Sequence, residues 1–143
     1  MKLRGIDFGC AWGSSGVQGF FGEGYWFHNL PLGPDFTGLT FVAKTVTLRP
    51  RTGNMPLSLA HQPLRKFPAC IKAKPLSGMM LNAVGLSNEG LRVLLDTKLW
   101  QAREKPFCIS LMSLGRSRAQ RRDELKQMIG LLGERKSEFR APF

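Results

Sequence analysis

The second half of the sequence alternates between short apolar runs and longer amphipathic segments, and this alternation constrains the fold more than any other feature. Helical spacing of Leu91, Leu94, Leu95 and Leu99 predicts one helix, capped by Ser87 or Asn88. A second helix ending near Gly133 is predicted from an apolar stripe of Leu125, Met128, Ile129 and Leu132. Apolar runs at 107–112 and near the end of the chain are typical of strands. Because alternating strands and helices form parallel sheets, the pattern predicts an α/β fold.

The first half of the sequence is less regular. Residues 2–8 predict a small hairpin arm, and the six glycines of residues 9–24 predict a loop that leads into a short helix. Residues 39–48 are rich in β-branched side chains and predict a buried strand. Residues 55–81 contain four prolines, and only two short strands, near 71–74 and 79–81, are predicted there.

The composition is that of an ordinary folded protein and excludes several classes. The chain of 143 residues is 43% hydrophobic and 22% charged, which predicts one domain, residues 1–143, rather than a disordered chain. No apolar run reaches the ~18 residues of a membrane span, and no signal-peptide stretch opens the sequence. Three isolated cysteines are a poor disulfide framework, so they predict reduced thiols in a cytoplasmic protein.

The net charge of +11 makes nucleic acid a candidate partner. Residues 64–143 carry sixteen basic and seven acidic side chains, with the densest basic cluster at 116–122. This cluster is either a phosphate-binding patch or a solvated helix face. It has no interleaved aromatic residues to stack bases and no groove-reading motif. A solvated face is therefore favoured, and a basic nucleic-acid-binding or assembly module is kept as the alternative function.

Catalytic and binding residues of parallel α/β folds follow the carboxyl ends of strands. This rule directs attention to residues 13–19, 44–54 and 82–90. The sequences there are Gly-Ser-Ser-Gly at 13–16, Ala-Lys-Thr-Val-Thr at 43–47, Arg-Thr-Gly-Asn at 51–54 and Asn-Ala-Val-Gly-Leu-Ser-Asn-Glu-Gly at 82–90. In this order they resemble the N-terminal part of the dihydroorotate dehydrogenase family, and the resemblance runs from about Leu3 to Phe143.

The resemblance implies a partial (β/α)8 TIM barrel, with an N-terminal hairpin and roughly the first four βα units. It also implies an FMN-dependent oxidoreductase that converts dihydroorotate to orotate in pyrimidine biosynthesis. In the family, hydride passes to the flavin while a Cys or Ser base removes a proton. Three electron acceptors occur among subfamilies: fumarate, a nicotinamide cofactor or a quinone.

The resemblance assigns roles to eight residues. Cofactor-binding roles fall on Ser15, Gly16, Lys44 and Thr45, and substrate-binding roles fall on Lys44, Asn82, Val84, Gly85 and Leu86. Lys44 is expected to reach both ligands, because reduced flavin gains negative charge that a fixed cation stabilises. The Asn82 amide offers a donor and an acceptor to a pyrimidine edge. The backbone N–H groups of 84–86 are expected to meet the substrate carboxylate.

The match covers only part of the family. Barrels of this kind take ~250 residues, so the C-terminal half, with the base and the FMN-phosphate loops, is expected to be absent. No catalytic residue is assigned, because none of the three cysteines lies at the base position. No metal site is expected, since His28 and His61 lack partners at ligand spacing, and the three tryptophans are interpreted as packing residues. Such a chain is expected to be inactive alone and to need a complementing chain or a homo-oligomer.

Overall fold

A computed structural model describes residues 1–143 of the chain, side chains included except at residue 75. Among these residues, six short strands form three two-stranded sheets. The antiparallel pair β1 (Lys2–Leu3) and β2 (Ile6–Asp7) opens the chain. The parallel pair β3 (Ala11–Trp12) and β4 (Leu39–Thr40) follows. The longest pair is antiparallel, β5 (Ile71–Lys74) with β6 (Met79–Asn82), in the register Ile71 to Asn82.

Two α-helices lie in the second half of the described chain: α1 (Leu91–Asp96) and α2 (Arg118–Glu134). Helix α2 begins where the Ser117 hydroxyl accepts from the Gln120 N–H and the Ser117 N–H donates to the Gln120 side-chain oxygen. This reciprocal pair satisfies two otherwise unpaired donors. Short 3₁₀ turns occupy Trp26–Asn29, Pro75–Ser77 and Lys136–Glu138.

One apolar core joins the distant segments. It contains Phe20, Phe41, Ala43, Val46, Leu91, Leu94, Leu95, Trp100, Phe107, Met128 and Leu132. Within it, the Trp100 indole N–H donates to the Phe20 carbonyl at 2.6 Å, so the buried indole has a partner. The core therefore packs the glycine-rich loop, residues 41–46 and both helices against one another.

The prediction of a partial (β/α)8 barrel is wrong. The described chain has two α-helices and three two-stranded sheets, two of them antiparallel, and its strands and helices do not alternate. Residues 39–48 and 107–112 were predicted to be strands. They are extended, but beyond β4 they pair only through the isolated parallel bridges Val42–Cys108 and Val46–Leu111.

The missing helices have a physical cause in residues 49–90. The four prolines of residues 55–81 lack backbone N–H donors and interrupt helices, and no α-helix forms there. The segment instead forms loops and the β5–β6 hairpin, whose two strands match the two short strands predicted there. An antiparallel hairpin returns the chain to its starting edge, so it cannot serve as the crossover of a parallel βα unit.

Candidate functional site

A cavity of about 890 Å³ lies between the glycine-rich loop, residues 44–45, residues 55–71 and the segment that ends the β5–β6 hairpin. This volume is typical of a site for a small molecule or cofactor. All eight residues singled out in the sequence line it: Ser15, Gly16, Lys44, Thr45, Asn82, Val84, Gly85 and Leu86. The structure therefore brings together residues that are up to 71 positions apart in the sequence.

Three hydroxyls form a chain along one wall of the cavity. The Ser15 hydroxyl donates to the Ala43 carbonyl at 2.9 Å and lies 2.9 Å from the Thr45 hydroxyl. Thr45 in turn lies 2.8 Å from the Ser110 hydroxyl. Since each hydroxyl has one proton, Thr45 donates to Ser15 and Ser110 donates to Thr45. Ser110 belongs to this chain although no sequence motif indicated it.

Gly16 allows the glycine-rich loop to lie directly against Lys44. Its φ of +80° is in the left-handed region, and a Cβ there would lie 3.0 Å from Lys44 Cγ. The resemblance implies a cofactor-binding role for Gly16, in which a bulky side chain would displace the flavin ring. In the structure, the aliphatic part of the Lys44 side chain occupies the space beside Gly16.

Lys44 is a half-buried cation without a carboxylate partner among the described residues. Its ammonium donates to the Ser87 carbonyl at 3.1 Å and lies 5.1 Å from the centre of the Phe20 ring. Burial lowers the pKa of Lys44, against the opposing effects of Cys70 and Glu23. A cation in this position favours an anionic or electron-rich ligand, which would restore the charge stabilisation that burial removes.

The segment after β6 presents free backbone donors to the cavity. Among the described residues, the N–H groups of Val84, Gly85 and Leu86 donate to no protein acceptor. Three of the carbonyls here are engaged: those of Val84, Gly85 and Leu86 accept from residues 54, 51 and 88. Backbone N–H groups left without a protein acceptor are available to a carboxylate, which is the role that the resemblance implies for them.

Asn82, the last residue of β6, is exposed at the cavity wall. Its side-chain amide makes no hydrogen bond to any residue that the structure describes, so both its donor and its acceptor are available to a ligand.

Asn88 holds the ligand-facing segment against the end of the neighbouring extended run. Its carboxamide oxygen accepts from the Thr47 N–H at 3.3 Å and the Gly90 N–H at 2.8 Å. Its amide donates to the Thr47 hydroxyl at 3.0 Å and to the Leu86 carbonyl at 2.6 Å. The sequence predicted a helix cap at 87 or 88. Instead the N-cap of α1 is Gly90, and Asn88 is a positioning residue for the cavity.

An aromatic wall that sequence reasoning missed completes the cavity. Tyr25, Trp26 and Phe27 line it, with the Tyr25 and Phe27 rings stacked at 5.7 Å. The Tyr25 hydroxyl donates to the Gly16 carbonyl at 2.9 Å, and burial, with a contribution from Glu23, raises the pKa of Tyr25 to about 12. The expectation that Trp26 only packs is therefore incomplete, whereas Trp100 is fully buried in the core. The run of three adjacent aromatics was the available signal.

Other residues of the sequence analysis lie elsewhere. The basic cluster 116–122 occupies the exposed start of α2, where the Arg121 guanidinium donates to the carbonyls of Gly115 and Arg116. The three cysteines are free, and in the described chain no group of three His, Cys, Asp or Glu side chains is placed to hold a metal ion. None of the helices in the described residues has the length and apolarity to span a bilayer.

Three features of the cavity suit an anionic ligand with a planar ring. Lys44 supplies an unpaired cation, the aromatic wall and Met55 supply apolar surface, and residues 84–86 supply free N–H donors. Compared with known proteins, the chain matches no family model, no curated protein and no solved structure. The geometry of this cavity is therefore the basis for assigning a function.

Proposed function

We propose that this chain is part of an FMN-dependent oxidoreductase resembling dihydroorotate dehydrogenase, acting in the cytoplasm. Its role is to bind the flavin ring and a dihydroorotate-like pyrimidine in the cavity around Lys44. The observation that carries the proposal is that the eight residues assigned by the resemblance, drawn from three separate segments, line one cavity. The three free cysteines are consistent with a reducing compartment.

Different residues of the cavity bind the flavin and the pyrimidine in this proposal. Ser15 and Thr45 present hydroxyls, and Lys44 presents the cation, to the flavin side of the cavity. Asn82 and the N–H groups of residues 84–86 face the side proposed for the pyrimidine and its carboxylate. When bound, FMN supplies a two-electron acceptor for oxidation of the pyrimidine. No base is identified in the chain, so we expect binding without turnover by the chain alone.

We propose further that the chain works with a complementing chain or a second copy of itself. Large apolar side chains are exposed on several elements, including Met80 and Leu81 on β6 and Ile129 on α2. Exposed apolar surface of this kind marks association sites. Size-exclusion chromatography with light scattering, run with and without FMN, reports the association state directly.

The proposal is tested by titrating FMN into the purified chain and following flavin fluorescence. We expect saturable binding, and a loss of affinity of about 10- to 100-fold in Lys44→Met, because the substitution removes a charged group from a partly buried contact. Lys74→Met is the matched control, since Lys74 is exposed on β5 and does not line the cavity. Equal losses in both variants, or no FMN binding by the unmodified chain, would contradict the proposal.

A further inference from the structure

Two more cations, Arg65 and Lys66, line the cavity at its solvent-exposed end. Together with the half-buried Lys44 they give the cavity three positive charges, and no Asp or Glu is among the described residues that line it. Glu23, which acts on Lys44 electrostatically, uses its carboxylate to accept from the N–H groups of Phe20 and Phe21. The lining therefore carries a net positive charge, which favours an anionic ligand.

The backbone that carries the two cations is fixed on both sides. The Trp26 indole donates to the Lys66 carbonyl at 3.0 Å, and the Leu64 N–H donates to the Pro56 carbonyl at 3.0 Å. The Gln62 amide donates to the Gly24 carbonyl at 2.8 Å, which ties the same segment to the base of the aromatic wall. In the described structure neither cationic side chain takes part in a salt bridge. Because the backbone is already fixed, a ligand would have to order only the two unpaired side chains.

The surrounding sequence adds to the positive electrostatic potential of the cavity. Residues 36–88 contain seven Lys or Arg side chains and no Asp or Glu. A stretch of one sign around a concave site raises the local concentration of oppositely charged ligands. Arginine binds the oxygens of phosphate or carboxylate in a bidentate manner, and lysine adds a point charge.

We propose that Arg65 and Lys66 form an oxyanion subsite at the mouth of the cavity, separate from the contacts around Lys44. This inference rests on the proposed function, and it adds that the ligand carries an oxyanion which reaches the mouth while its planar ring lies beside the aromatic wall. The oxyanion is either the phosphate of a flavin or the carboxylate of a pyrimidine acid, which would then lie at the mouth instead of against the N–H groups of residues 84–86.

Two matched pairs of probes test the subsite and distinguish its two sources. FMN and riboflavin differ only in the phosphate, and orotate and uracil differ only in the carboxylate. Affinities are measured by calorimetry for the unmodified chain, for Arg65→Gln/Lys66→Gln and for the control Lys72→Gln/Lys74→Gln. The control removes the same two charges from exposed positions on β5 that do not line the cavity.

We expect the unmodified chain to prefer the oxyanion-bearing member of one pair by about tenfold or more. That preference should fall close to one in Arg65→Gln/Lys66→Gln and persist in the control. A loss confined to the flavin pair identifies phosphate as the oxyanion, and a loss confined to the pyrimidine pair identifies carboxylate. Circular dichroism and melting curves verify that both variants are folded.

The remaining outcomes separate the two proposals. Binding of flavin or pyrimidine with an unchanged preference in Arg65→Gln/Lys66→Gln overturns the subsite and leaves the proposed function standing. An equal loss in the control also overturns it, because the effect would then belong to the net charge. Failure of all four probes to bind the unmodified chain overturns both proposals.

Discussion

At the scale of single residues, the cavity depends on buried polar side chains that never contact a ligand. Asn88 is the clearest case, because it is 3% exposed and its carboxamide makes hydrogen bonds to three residues. Phe20 contributes in another way, since its ring lies under the Lys44 ammonium and its carbonyl accepts from Trp100. The lysine that faces the ligand is thereby connected to the middle of the core.

Replacing Asn88 by Ala should lower the free energy of unfolding by about 3 kcal/mol or more. The substitution leaves the Thr47 and Gly90 N–H groups and the Leu86 carbonyl without their partner, and each buried unpaired group costs roughly 1–3 kcal/mol. Asn54→Ala is the matched control, because Asn54 is exposed and its amide makes one bond, to the Ala83 carbonyl. Urea denaturation measures both. A similar small cost for the two variants would show that Asn88 does not position the segment.

The residue scale also shows what the sequence could predict about the site. Lys44, Asn82 and residues 84–86 were found because their motifs occur in a recognisable order. Arg65 and Lys66 were missed because they reach the cavity only through long-range packing, and Ser110 was missed because only that packing brings its hydroxyl to Thr45. The Thr45–Ser110 contact spans 65 positions and has no local signature. A motif identifies residues that act through their own local backbone, whereas residues contributed by packing require the fold.

At the scale of elements, helix α2 shows what the spacing of apolar residues can and cannot predict. Its predicted stripe consists of two adjacent rows, but only Met128 and Leu132 are buried, while Leu125 and Ile129 are 38% and 56% exposed. The periodicity correctly predicted the helix and its end near Gly133. It could not show that only one row packs on the core of the described chain, because amphipathicity does not specify the partner surface.

The segments predicted as strands show that composition predicts burial but not strand pairing. Residues 39–48 have the composition of a buried strand, and Phe41, Ala43 and Val46 are indeed buried. The side chains of this segment account for its burial and its extended conformation. Pairing into a sheet also requires a neighbouring backbone. Only single bridges to residues 108 and 111 form, so the sheet implied by the composition is not completed.

The C-terminal end of α2 is joined to the end of α1 by ion pairs, and these should make stability depend on pH. Hydrogen bonds from Arg135 and then Lys98 lower the pKa of Glu138 from 4.5 to about 2. Because the folded pKa lies below the ordinary value, the stabilisation is complete above about pH 4.5 and is lost as the pH falls towards 2. Glu138→Gln should remove this part of the acid sensitivity.

The urea midpoints of unfolding at pH 6, 4 and 3 measure how much the ionised Glu138 contributes to stability. We expect the unmodified chain to lose more stability than Glu138→Gln over this interval, and the difference should shrink in high salt because the pairs are exposed. Glu134→Gln is the control, since Glu134 is exposed at the end of α2 and belongs to no salt bridge in the described structure. Parallel acid profiles for all three proteins would exclude a role for the cluster.

At the scale of the whole molecule, the cavity lies directly against the core, so binding and folding should be coupled. Phe20 belongs to the core cluster and also lies 5.1 Å from the Lys44 ammonium. The glycine-rich loop, residues 44–45 and the segment before α1 all line the cavity and continue directly into core residues. The aromatic wall has its own ring packing, but the other walls are held by the core and should not persist after the core unfolds.

This coupling predicts a single unfolding transition in the presence of ligand. With free FMN at about 100 times its dissociation constant, the free energy of unfolding should rise by about 2.7 kcal/mol, because FMN binds only the folded chain. In urea, far-UV circular dichroism reports α1 and α2, while flavin fluorescence reports the cavity, and the two transitions should coincide. In Lys44→Met the FMN-dependent shift should shrink in proportion to the lost affinity. Release of FMN before the helices unfold would show that the cavity opens independently of the core on which this prediction is based.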